Sequence, residues 1–312
     1  MTLAILCSGQ GAQHAGMFEL TGGVPAAAAL FERAGSLLGH DPRRLVREAA
    51  REELFENRTA QLLCSLQALA ADALLTEVLP KRRCIAGYSV GEVAAWGVAG
   101  LIEPAATLEL VAARADAMNA ASQGQQGMLF VRGLTRDIVE QLCDGQEAAI
   151  AIANPGEAWV VGGLQPALDA IATEAKARGA SRVVPVQVVV ASHTYLLANA
   201  SVAFGDVLSR VPIAHGLRPG VRLLSGLDAA SVLNVDEGVQ KLARQISEPI
   251  DWTGCLAACV EAGASAFLEL GPGRALAEMA AGAYPAIPSR SLDDFRSLAG
   301  LEAWLSRVAS DG

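Results

Sequence analysis

The sequence predicts an α/β protein with a largely parallel sheet and a small inserted α+β subdomain. Short apolar runs alternate with long stretches rich in alanine and leucine, which is the pattern of strands connected by helices. The spacing of strands and helices changes after Gly124, where strands become more frequent. The 312 residues are 52% apolar and only 18% charged, so the chain can bury a substantial core.

The elements before Gly124 follow the alternating order. We predict two strands, at Leu3–Cys7 and near residues 83–87. The predicted helices lie near residues 25–38, 59–78, 91–99 and 104–121.

The next segment predicts a strand, helix, strand, strand, helix, strand order, which is the ferredoxin-like pattern. The predicted strands and helices are, in chain order, Gly127–Gly133, Thr135–Cys143, Ala148–Ala153, Trp159–Val161, Gln165–Arg178 and Val183–Val189. We therefore place an inserted subdomain at residues 125–189 and the core at residues 1–124 and 190–312.

The remaining chain returns to the core pattern. We predict helices at residues 194–210, 234–247 and 252–262, a strand at Ala266–Leu270, a turn at residues 271–273 and a helix that begins near Arg274.

Charge and composition disfavour several classes of partner. The 24 basic and 33 acidic residues give a formal charge of −9, which disfavours nucleic acid and anionic membranes. Apolar stretches are interrupted by polar residues, so we predict no membrane span, and the first residues lack the features of a secretion signal. We therefore expect a cytoplasmic protein.

The six cysteines are scattered, with no CxxC pair and no histidines at the spacing of metal ligands. Cys255 and Cys259 share a helix face but have no further ligands beside them. We predict buried structural thiols and no metal site.

A serine flanked by glycines follows the second predicted strand. The stretch from Gly87 to Gly91 reads GYSVG and matches G-x-S-x-G, the strand-turn-helix elbow that exposes a serine hydroxyl. An ordinary glycine-containing turn is the alternative. The strand before Ser89 and the helical pattern after it favour a nucleophile, and the start of that helix would direct free N–H groups toward an oxyanion.

A nucleophilic serine needs a base, and the chain has four histidines: His14, His40, His193 and His215. His40 and His215 lie in polar, turn-like contexts, and we expect them at the surface. His193 ends the run PVQVVVASH, where a residue at the end of a strand can reach the elbow. A hydrogen-bonded core histidine is the alternative interpretation.

Arg114 lies inside an apolar stripe of its predicted helix. Leu110 and Val111 precede it by one turn, and Ala117 and Met118 follow by one turn. The guanidinium could form a structural ion pair or extend to the solvent. It could also bind a substrate carboxylate through paired N–H donors.

Five motifs together resemble one family. They are the SGQGAQ stretch at residues 8–13, the GxSxGE elbow, the buried arginine, Ser192-His193, and ELGPG at residues 269–273. Their order is similar to that of bacterial malonyl-CoA:acyl carrier protein transacylases, over about residues 3–285. The resemblance implies an α/β hydrolase-like core with a ferredoxin-like insert.

The resemblance also implies the catalytic roles. Ser89 would be the nucleophile and His193 the general base, and the main-chain carbonyl of Gln245 would orient the histidine in place of an aspartate. The backbone N–H groups of Gln10 and Val90 would form the oxyanion hole.

The same resemblance implies the substrate and partner. Arg114 would bind the malonyl carboxylate, with Met118 beside it in the substrate site, and Asn154 matches a family stretch without an assigned role. Malonyl-CoA would be the substrate, no cofactor would be bound, and the acceptor would be an acyl carrier protein.

Tyr88 departs from the common family elbow, which has histidine before the serine. A tyrosine cannot carry imidazolium charge, so we assign Tyr88 no family role that needs the proton of that histidine. The stretch GYSVGEVAAWGVAG looks most like the epsilon (transacylase) subunit of bacterial malonate decarboxylase. We therefore predict that the enzyme primes a carrier subunit bearing a phosphoribosyl-dephospho-CoA arm. A transacylase of fatty acid or polyketide synthesis is the alternative.

Two other classes of function compete with this interpretation. A serine esterase or thioesterase should have an acid between the serine and a late histidine, an HGGG-like motif and no buried arginine. A non-catalytic docking subunit would have no need of Ser89, His193 and Arg114 together.

The small residues Val190-Ala191-Ser192 before His193 are compatible with either malonyl or methylmalonyl as the acyl group.

Two interpretations also remain for the surface that would dock an acidic carrier. Basic residues that could form it are Arg43, Arg44, Lys81, Arg82 and Arg83. A solvated surface without a partner is the alternative.

Overall fold

The structure, a computed structural model, describes residues 1–310 and contains two five-stranded sheets. The core sheet is entirely parallel, with the order β10-β9-β1-β2-β7. Its strands are β1 (Thr2–Cys7), β2 (Arg83–Gly87), β7 (Val221–Leu223), β9 (Ala264–Glu269) and β10 (Ser289–Ser291). The α/β class and the parallel sheet predicted from the sequence are confirmed.

Helices pack around the core sheet because β1, β2 and β9 are almost wholly buried and need apolar cover. Before the second sheet these are α1 (Ala28–Leu38), α2 (Pro42–Glu48), α3 (Arg51–Leu54), α4 (Asn57–Leu75), α5 (Val90–Val98) and α6 (Pro104–Ala121). After it they are α9 (Ala198–Leu208), α10 (Val235–Arg244), α11 (Trp252–Glu261), α12 (Ala275–Ala283) and α13 (Leu298–Ser310).

The second sheet has the order β6-β3-β5-β4-β8. Four of its strands are consecutive in the chain and antiparallel: β3 (Gln126–Arg132), β4 (Ala148–Asn154), β5 (Ala158–Leu164) and β6 (Arg182–Val186). Two helices connect them, α7 (Arg136–Cys143) and α8 (Gln165–Ala177). They cover a small apolar core of their own that includes Val131, Val161 and Ile171.

The edge of the second sheet is not made by residues 126–186 alone. The short strand β8 (Ile250–Asp251), which follows α10 in the chain, pairs in parallel with Ile152 and Ala153 of β4. A two-residue strand carries no periodicity, so no sequence pattern predicts it. This pairing joins residues 126–186 to the segment that also carries Gln245.

One sequence prediction about the site is wrong. The strand predicted at Val183–Val189 ends at Val186, so His193 does not lie at the end of a strand. It lies in a loop, where its N–H donates to the carbonyl of Ile246 at 2.8 Å. The apolar run continues past Val186 because this loop is itself buried at Val188, Val190 and Ala191.

The long apolar helices belong to the protein core. Across residues 1–310, no helix has both the length and the hydropathy of a membrane span. The largest buried helix is α4, of which fifteen of nineteen residues are buried. It packs against both α5 and α6, the helices that carry the elbow and Arg114.

Candidate active site

Ser89 lies in a sharp turn between β2 and α5. Its backbone has φ 57° and ψ −122°, a conformation that non-glycine residues rarely adopt and that projects the side chain out of the turn. A side chain at Gly87 would collide with the backbone of Glu92, and one at Gly91 would collide with the carbonyl of Cys7. The two glycines therefore permit the close packing that the strained serine requires.

Ser89 and His193 form a hydrogen-bonded pair. The Ser89 Oγ lies 2.8 Å from Nε2 of His193, and Nδ1 of His193 lies 2.5 Å from the carbonyl oxygen of Gln245. Because a carbonyl oxygen can only accept, the ring proton belongs on Nδ1 and Nε2 is free to accept the serine proton. The sequence-predicted serine, histidine and glutamine are therefore brought together in the geometry of a base and its nucleophile.

The environment keeps His193 neutral. Burial, and next the positive charge of Arg114, lower the pKa of His193 to about 3, against the opposing effect of the Gln245 carbonyl. A neutral imidazole is the form that can accept a proton.

The loop after β1 packs directly against the elbow. The N–H of Tyr88 donates to the carbonyl of Cys7 at 2.9 Å, and a Cβ on Gly9 would lie 2.8 Å from the carbonyl oxygen of Tyr88. Gln10 follows in this loop, while Val90 is the first residue of α5, so its N–H has no partner within the helix. Both residues lie at the carboxyl ends of neighbouring parallel strands, where α/β proteins place their sites.

The β1 loop is held by a buried acid on the other neighbouring strand. The Ser8 hydroxyl donates to Glu269 Oε1 at 2.7 Å, and the Ala277 N–H at the start of α12 donates to Oε2 at 2.9 Å. Burial raises the pKa of Glu269 to about 7. Glu269 thus links the end of β9 and the start of α12 to Ser8, which lies two residues before Gln10 in the β1 loop.

Arg114 is buried without a carboxylate partner. Its side chain is 1% exposed, and its guanidinium contacts Gln61 Oε1 at 2.7 Å, Met118 Sδ at 3.2 Å and Gln245 Oε1 at 3.2 Å. Among residues 1–310, no acidic oxygen comes within ion-pair distance of it, and Nε has no partner. Burial lowers the pKa of Arg114 to about 10, which still leaves it charged at neutral pH. Because all of its partners are neutral, the guanidinium can still bind an anion.

The Gln245 side chain connects the two halves of the site. Its Nε2 donates to the carbonyl of Ser89 at 2.9 Å and to Oε2 of Glu92 at 2.8 Å, while its Oε1 accepts from Arg114. The residue was predicted for its main-chain carbonyl only, and the side chain adds contacts to the elbow and to the arginine.

Tyr88 makes an aromatic contact with the core. Its ring packs edge-on against Trp252, with the ring centres 5.2 Å apart. Burial raises the pKa of the Tyr88 hydroxyl to about 12, and the nearby Asn154 side chain acts on that pKa in the opposite direction. Asn154, at the end of β4, thus lies near the residue before Ser89.

The other candidates lie elsewhere. His14 is exposed and bonded to Asp293 at 2.8 Å, and His40 and His215 are exposed, as the sequence predicted for those two. All six cysteines are free; five are buried, and Cys143 is partly buried. Within the described residues, no three histidine, cysteine or acidic side chains form a metal-binding group.

The basic residues proposed for docking are occupied or distant from Ser89. Arg43 pairs with Asp41, and Arg44 pairs with Glu48. Lys81 and Arg82 precede β2, and Arg83 begins it, so they lie at the opposite end of that strand from Ser89.

Two parts of the site had no assigned role in the sequence analysis. Asn57, Gln61 and Ser65 are buried polar residues spaced by four on α4, and Gln61 contacts Arg114. Polar residues at this spacing on an apolar helix are the signal that could have found them. Glu92 belongs to the elbow motif, but nothing in the sequence indicates its contact with Gln245.

One known protein family matches this chain. The acyl transferase domain family matches residues 5–214, which is more than half of the chain.

Curated relatives match along nearly the whole chain. The malonyl CoA-acyl carrier protein transacylase of Mycobacterium tuberculosis is 30% identical over 304 residues, covering 93% of this chain and 96% of the relative. The protein of the same name from Haemophilus influenzae is 27% identical over 311 residues, covering 97% and 98%.

Solved structures share the fold. An acyl-carrier-protein S-malonyltransferase from Burkholderia pseudomallei has a TM-score of 0.89 at 26% identity, covering 98% of this chain and 100% of that one. A malonyl-transacylase in complex with a type II polyketide synthase acyl-carrier protein gives the same TM-score, identity and coverage. The chain is an acyltransferase and belongs to the acyl transferase family, within its group of malonyl-CoA:acyl carrier protein transacylases.

Proposed function

We propose that the protein moves a malonyl group from malonyl-CoA to the thiol of an acyl carrier protein through an acyl-Ser89 intermediate. The observation that carries the proposal is the chain of contacts from Ser89 Oγ to His193 Nε2 and from Nδ1 to the Gln245 carbonyl, beside a buried arginine that lacks an anion. The family membership supports the reaction class, and the names of the relatives support the substrate pair.

The proposed mechanism is ping-pong. Ser89 Oγ attacks the thioester carbonyl as Nε2 of His193 takes its proton, and the tetrahedral oxyanion is held by the N–H groups of Gln10 and Val90. The carbon–sulfur bond then breaks, and the CoA sulfur leaves with the proton from His193. The carrier thiol reverses these steps, giving its proton to His193 and taking the malonyl group. Each oxyanion donor can contribute about 3 kcal/mol to lowering the barrier.

Arg114 provides the proposed selectivity for a carboxylated acyl group. A malonyl carboxylate would give the guanidinium the anion that Gln61, Met118 and Gln245 do not supply. An acetyl group would leave the buried cation unpaired, at a cost of about 1–3 kcal/mol. Methylmalonyl carries the same carboxylate, so Arg114 alone does not separate it from malonyl.

Two carriers could accept the malonyl group. Priming of a malonate decarboxylase carrier subunit remains a prediction from the elbow stretch. The names of the relatives favour the alternative, a transacylase that serves an ordinary acyl carrier protein. A cytoplasmic location likewise remains a prediction.

The test is the intact mass of the protein after incubation with malonyl-CoA, acetyl-CoA and methylmalonyl-CoA in turn. We expect a malonyl adduct on the wild-type protein and none on Ser89→Ala. Arg114→Ala should form less malonyl adduct and proportionally more acetyl adduct, and Arg114→Lys should fall between because it keeps the charge without the paired donors.

Two exposed residues provide controls. Ser36→Ala removes a hydroxyl that bonds only its own helix, and Arg136→Ala removes an exposed arginine paired with Glu140. Both should malonylate like the wild-type protein. A malonyl adduct that persists in Ser89→Ala, or a wild-type protein with no adduct from any of the three thioesters, would overturn the proposal.

A comparison of acceptors tests the carrier. Malonyl transfer is measured to an acyl carrier protein with a phosphopantetheine arm and to a malonate decarboxylase carrier subunit with a phosphoribosyl-dephospho-CoA arm. We expect kcat/KM for the first to exceed that for the second. The reverse order would restore the decarboxylase assignment.

A further inference from the structure

The site contains one buried carboxylate for which the proposed mechanism has no use. Glu92 is 1% exposed and lies on α5, three residues after the nucleophile. Its Oε2 accepts from Gln245 Nε2 at 2.8 Å and from the N–H of Gly226 at 3.1 Å. Burying a carboxylate costs free energy unless it is hydrogen-bonded, so the groups that bond it are the ones on which its charge acts.

These contacts lead to Arg114. Because the Gln245 amide donates its Nε2 hydrogens to Glu92 and to the Ser89 carbonyl, its Oε1 must face the other way, where it accepts from Arg114 Nη2 at 3.2 Å. An ionised carboxylate has no proton to donate and can only accept hydrogen bonds. It therefore fixes which end of the Gln245 amide faces it. Glu92, Gln245 and Arg114 thus form a polarised chain with an anion at one end and a cation at the other.

We propose that Glu92 is a specificity-determining residue whose carboxylate, acting through the Gln245 amide, is the counter-charge of Arg114 and competes with the substrate carboxylate for it. The inference rests on the proposed function, because it assumes that Arg114 binds the malonyl carboxylate. In the empty site the Glu92 charge stabilises the buried guanidinium. When malonyl enters, two anions share one cation, and the site favours a proton on Glu92.

The charges around Glu92 agree with this arrangement. Burial raises its pKa to about 7; Arg114 on α6 lowers it, and Asp228 in the loop after β7 raises it. Cys255 on α11 stays protonated, since burial raises its thiol pKa. His193 beyond Arg114 stays neutral because its pKa is lowered. Glu92 is therefore the group near Arg114 whose charge changes around neutral pH.

The linkage has a definite sign. Above about pH 7 the ionised Glu92 weakens malonyl binding, and below it the protonated Glu92 leaves Arg114 free for the substrate. Acetyl carries no charge and should not sense Glu92 in this way. The malonyl to acetyl preference of the wild-type protein should fall as pH rises.

The test uses Glu92→Gln, which keeps an acceptor oxygen of the same shape for Gln245 and Gly226 but has no charge. The rate of adduct formation, as kcat/KM, is measured with malonyl-CoA and with acetyl-CoA between about pH 6 and pH 8.5. At the upper pH we expect the malonyl to acetyl ratio of Glu92→Gln to exceed that of the wild-type protein by about fivefold or more. At the lower pH the two ratios should converge.

Glu269→Gln is the matched control. Glu269 is an equally buried carboxylate with a pKa raised to about 7, but it bonds Ser8 and α12 rather than Gln245. Its substitution should leave the pH dependence of the malonyl to acetyl ratio unchanged. If the Glu92→Gln ratio differs from the wild-type ratio by the same factor at every pH, or does not differ, Glu92 is structural only and the inference is wrong.

A second measurement does not depend on the folding of Glu92→Gln. Ser89→Ala is titrated calorimetrically with malonyl-CoA and with acetyl-CoA at about pH 7.5, in two buffers of different ionisation enthalpy. We expect net proton uptake with malonyl-CoA and none with acetyl-CoA. Equal proton exchange for both thioesters would overturn the inference, whereas failure of the wild-type protein to form a malonyl adduct would instead overturn the proposed function.

Discussion

The Nδ1 of His193 lies 2.5 Å from the main-chain oxygen of Gln245, so the proposed catalytic base is oriented by a peptide carbonyl rather than by an acid. A carbonyl fixes the ring tautomer but carries no negative charge to stabilise an imidazolium. This difference from a serine protease triad leads to separate predictions for the histidine and for the Gln245 side chain.

The first prediction concerns pH. Because burial and Arg114 lower the pKa of His193 to about 3, the neutral base should persist well below the usual histidine range. The rate of acylation at saturating malonyl-CoA should therefore hold from about pH 8 down to about pH 5. Rapid-quench mass measurements give this rate. An acid limb centred near the ordinary histidine pKa would contradict the burial argument.

The second prediction separates the carbonyl of Gln245 from its side chain. Gln245→Ala keeps the carbonyl that orients His193 but removes the contacts with Ser89, Glu92 and Arg114. We expect kcat/KM for malonyl-CoA to fall about tenfold or more, as for loss of a hydrogen bond to a charged group, while the acid side of the pH profile stays in place. A displaced acid limb would show that the side chain also acts on the histidine.

The third prediction concerns the elbow glycines. Gly91→Ala places a Cβ against the Cys7 carbonyl, between the Ser89 turn and the end of β1, so the two segments must separate. We expect a loss of about 3 kcal/mol in the free energy of unfolding and a strong loss of acylation. Gly23→Ala is the control, since its Cβ would meet nothing within 4 Å. Its stability should change by about 0.5 kcal/mol or less by thermal or denaturant unfolding. Equal stabilities for the two variants would refute the close-packing argument.

The fourth prediction concerns the loop before Gln10. Ser8→Ala removes the donor to Glu269 Oε1 and loosens the loop that carries the proposed oxyanion N–H. We expect kcat to fall by about tenfold with little change in KM for malonyl-CoA, because the oxyanion forms only during the reaction. Steady-state kinetics decide this. A change confined to KM would place Ser8 in substrate binding instead.

The fifth prediction concerns stability and Glu269. Its folded pKa of about 7 lies above the ordinary glutamate pKa of 4.5, so its contribution to stability is fully present below about pH 4.5 and is lost as pH rises through about 7. Glu269→Gln has no such loss. Its stability relative to the wild-type protein should therefore improve between pH 5 and pH 8, by up to about 3 kcal/mol from the size of the shift. A constant difference in denaturant unfolding would argue against the raised pKa.

Much of the fold followed from local patterns. The apolar runs at Leu3–Cys7 and 83–87 and the helix around Arg114 were placed correctly, because each has clear hydrophobic periodicity. β8 and β7 are two and three residues long and exist only through pairing with a neighbour, which no local pattern encodes. The run before His193 was misleading because Val188 and Val190 are buried within a loop and do not continue β6.

The site divides in the same way. Ser89 was visible from its flanking glycines, and Arg114 from the apolar stripe around it. The roles of His193 and of the Gln245 carbonyl came from resemblance, since nothing local marks which carbonyl faces a histidine. Gln61, Glu92 and Glu269 act through contacts between residues far apart in the chain, and these contacts appear only in three dimensions.

The proposed function requires that Ser89 hold the malonyl group and pass it to a thiol. The most direct measurement isolates the malonylated wild-type protein, maps the adduct by peptide mass, and adds an acyl carrier protein with a phosphopantetheine arm in a single turnover. We predict that the adduct lies on the peptide containing Ser89 and moves to the carrier thiol much faster than water removes it. Release mainly as free malonate, or an adduct on any other residue, would contradict the account and favour a hydrolase or another nucleophile.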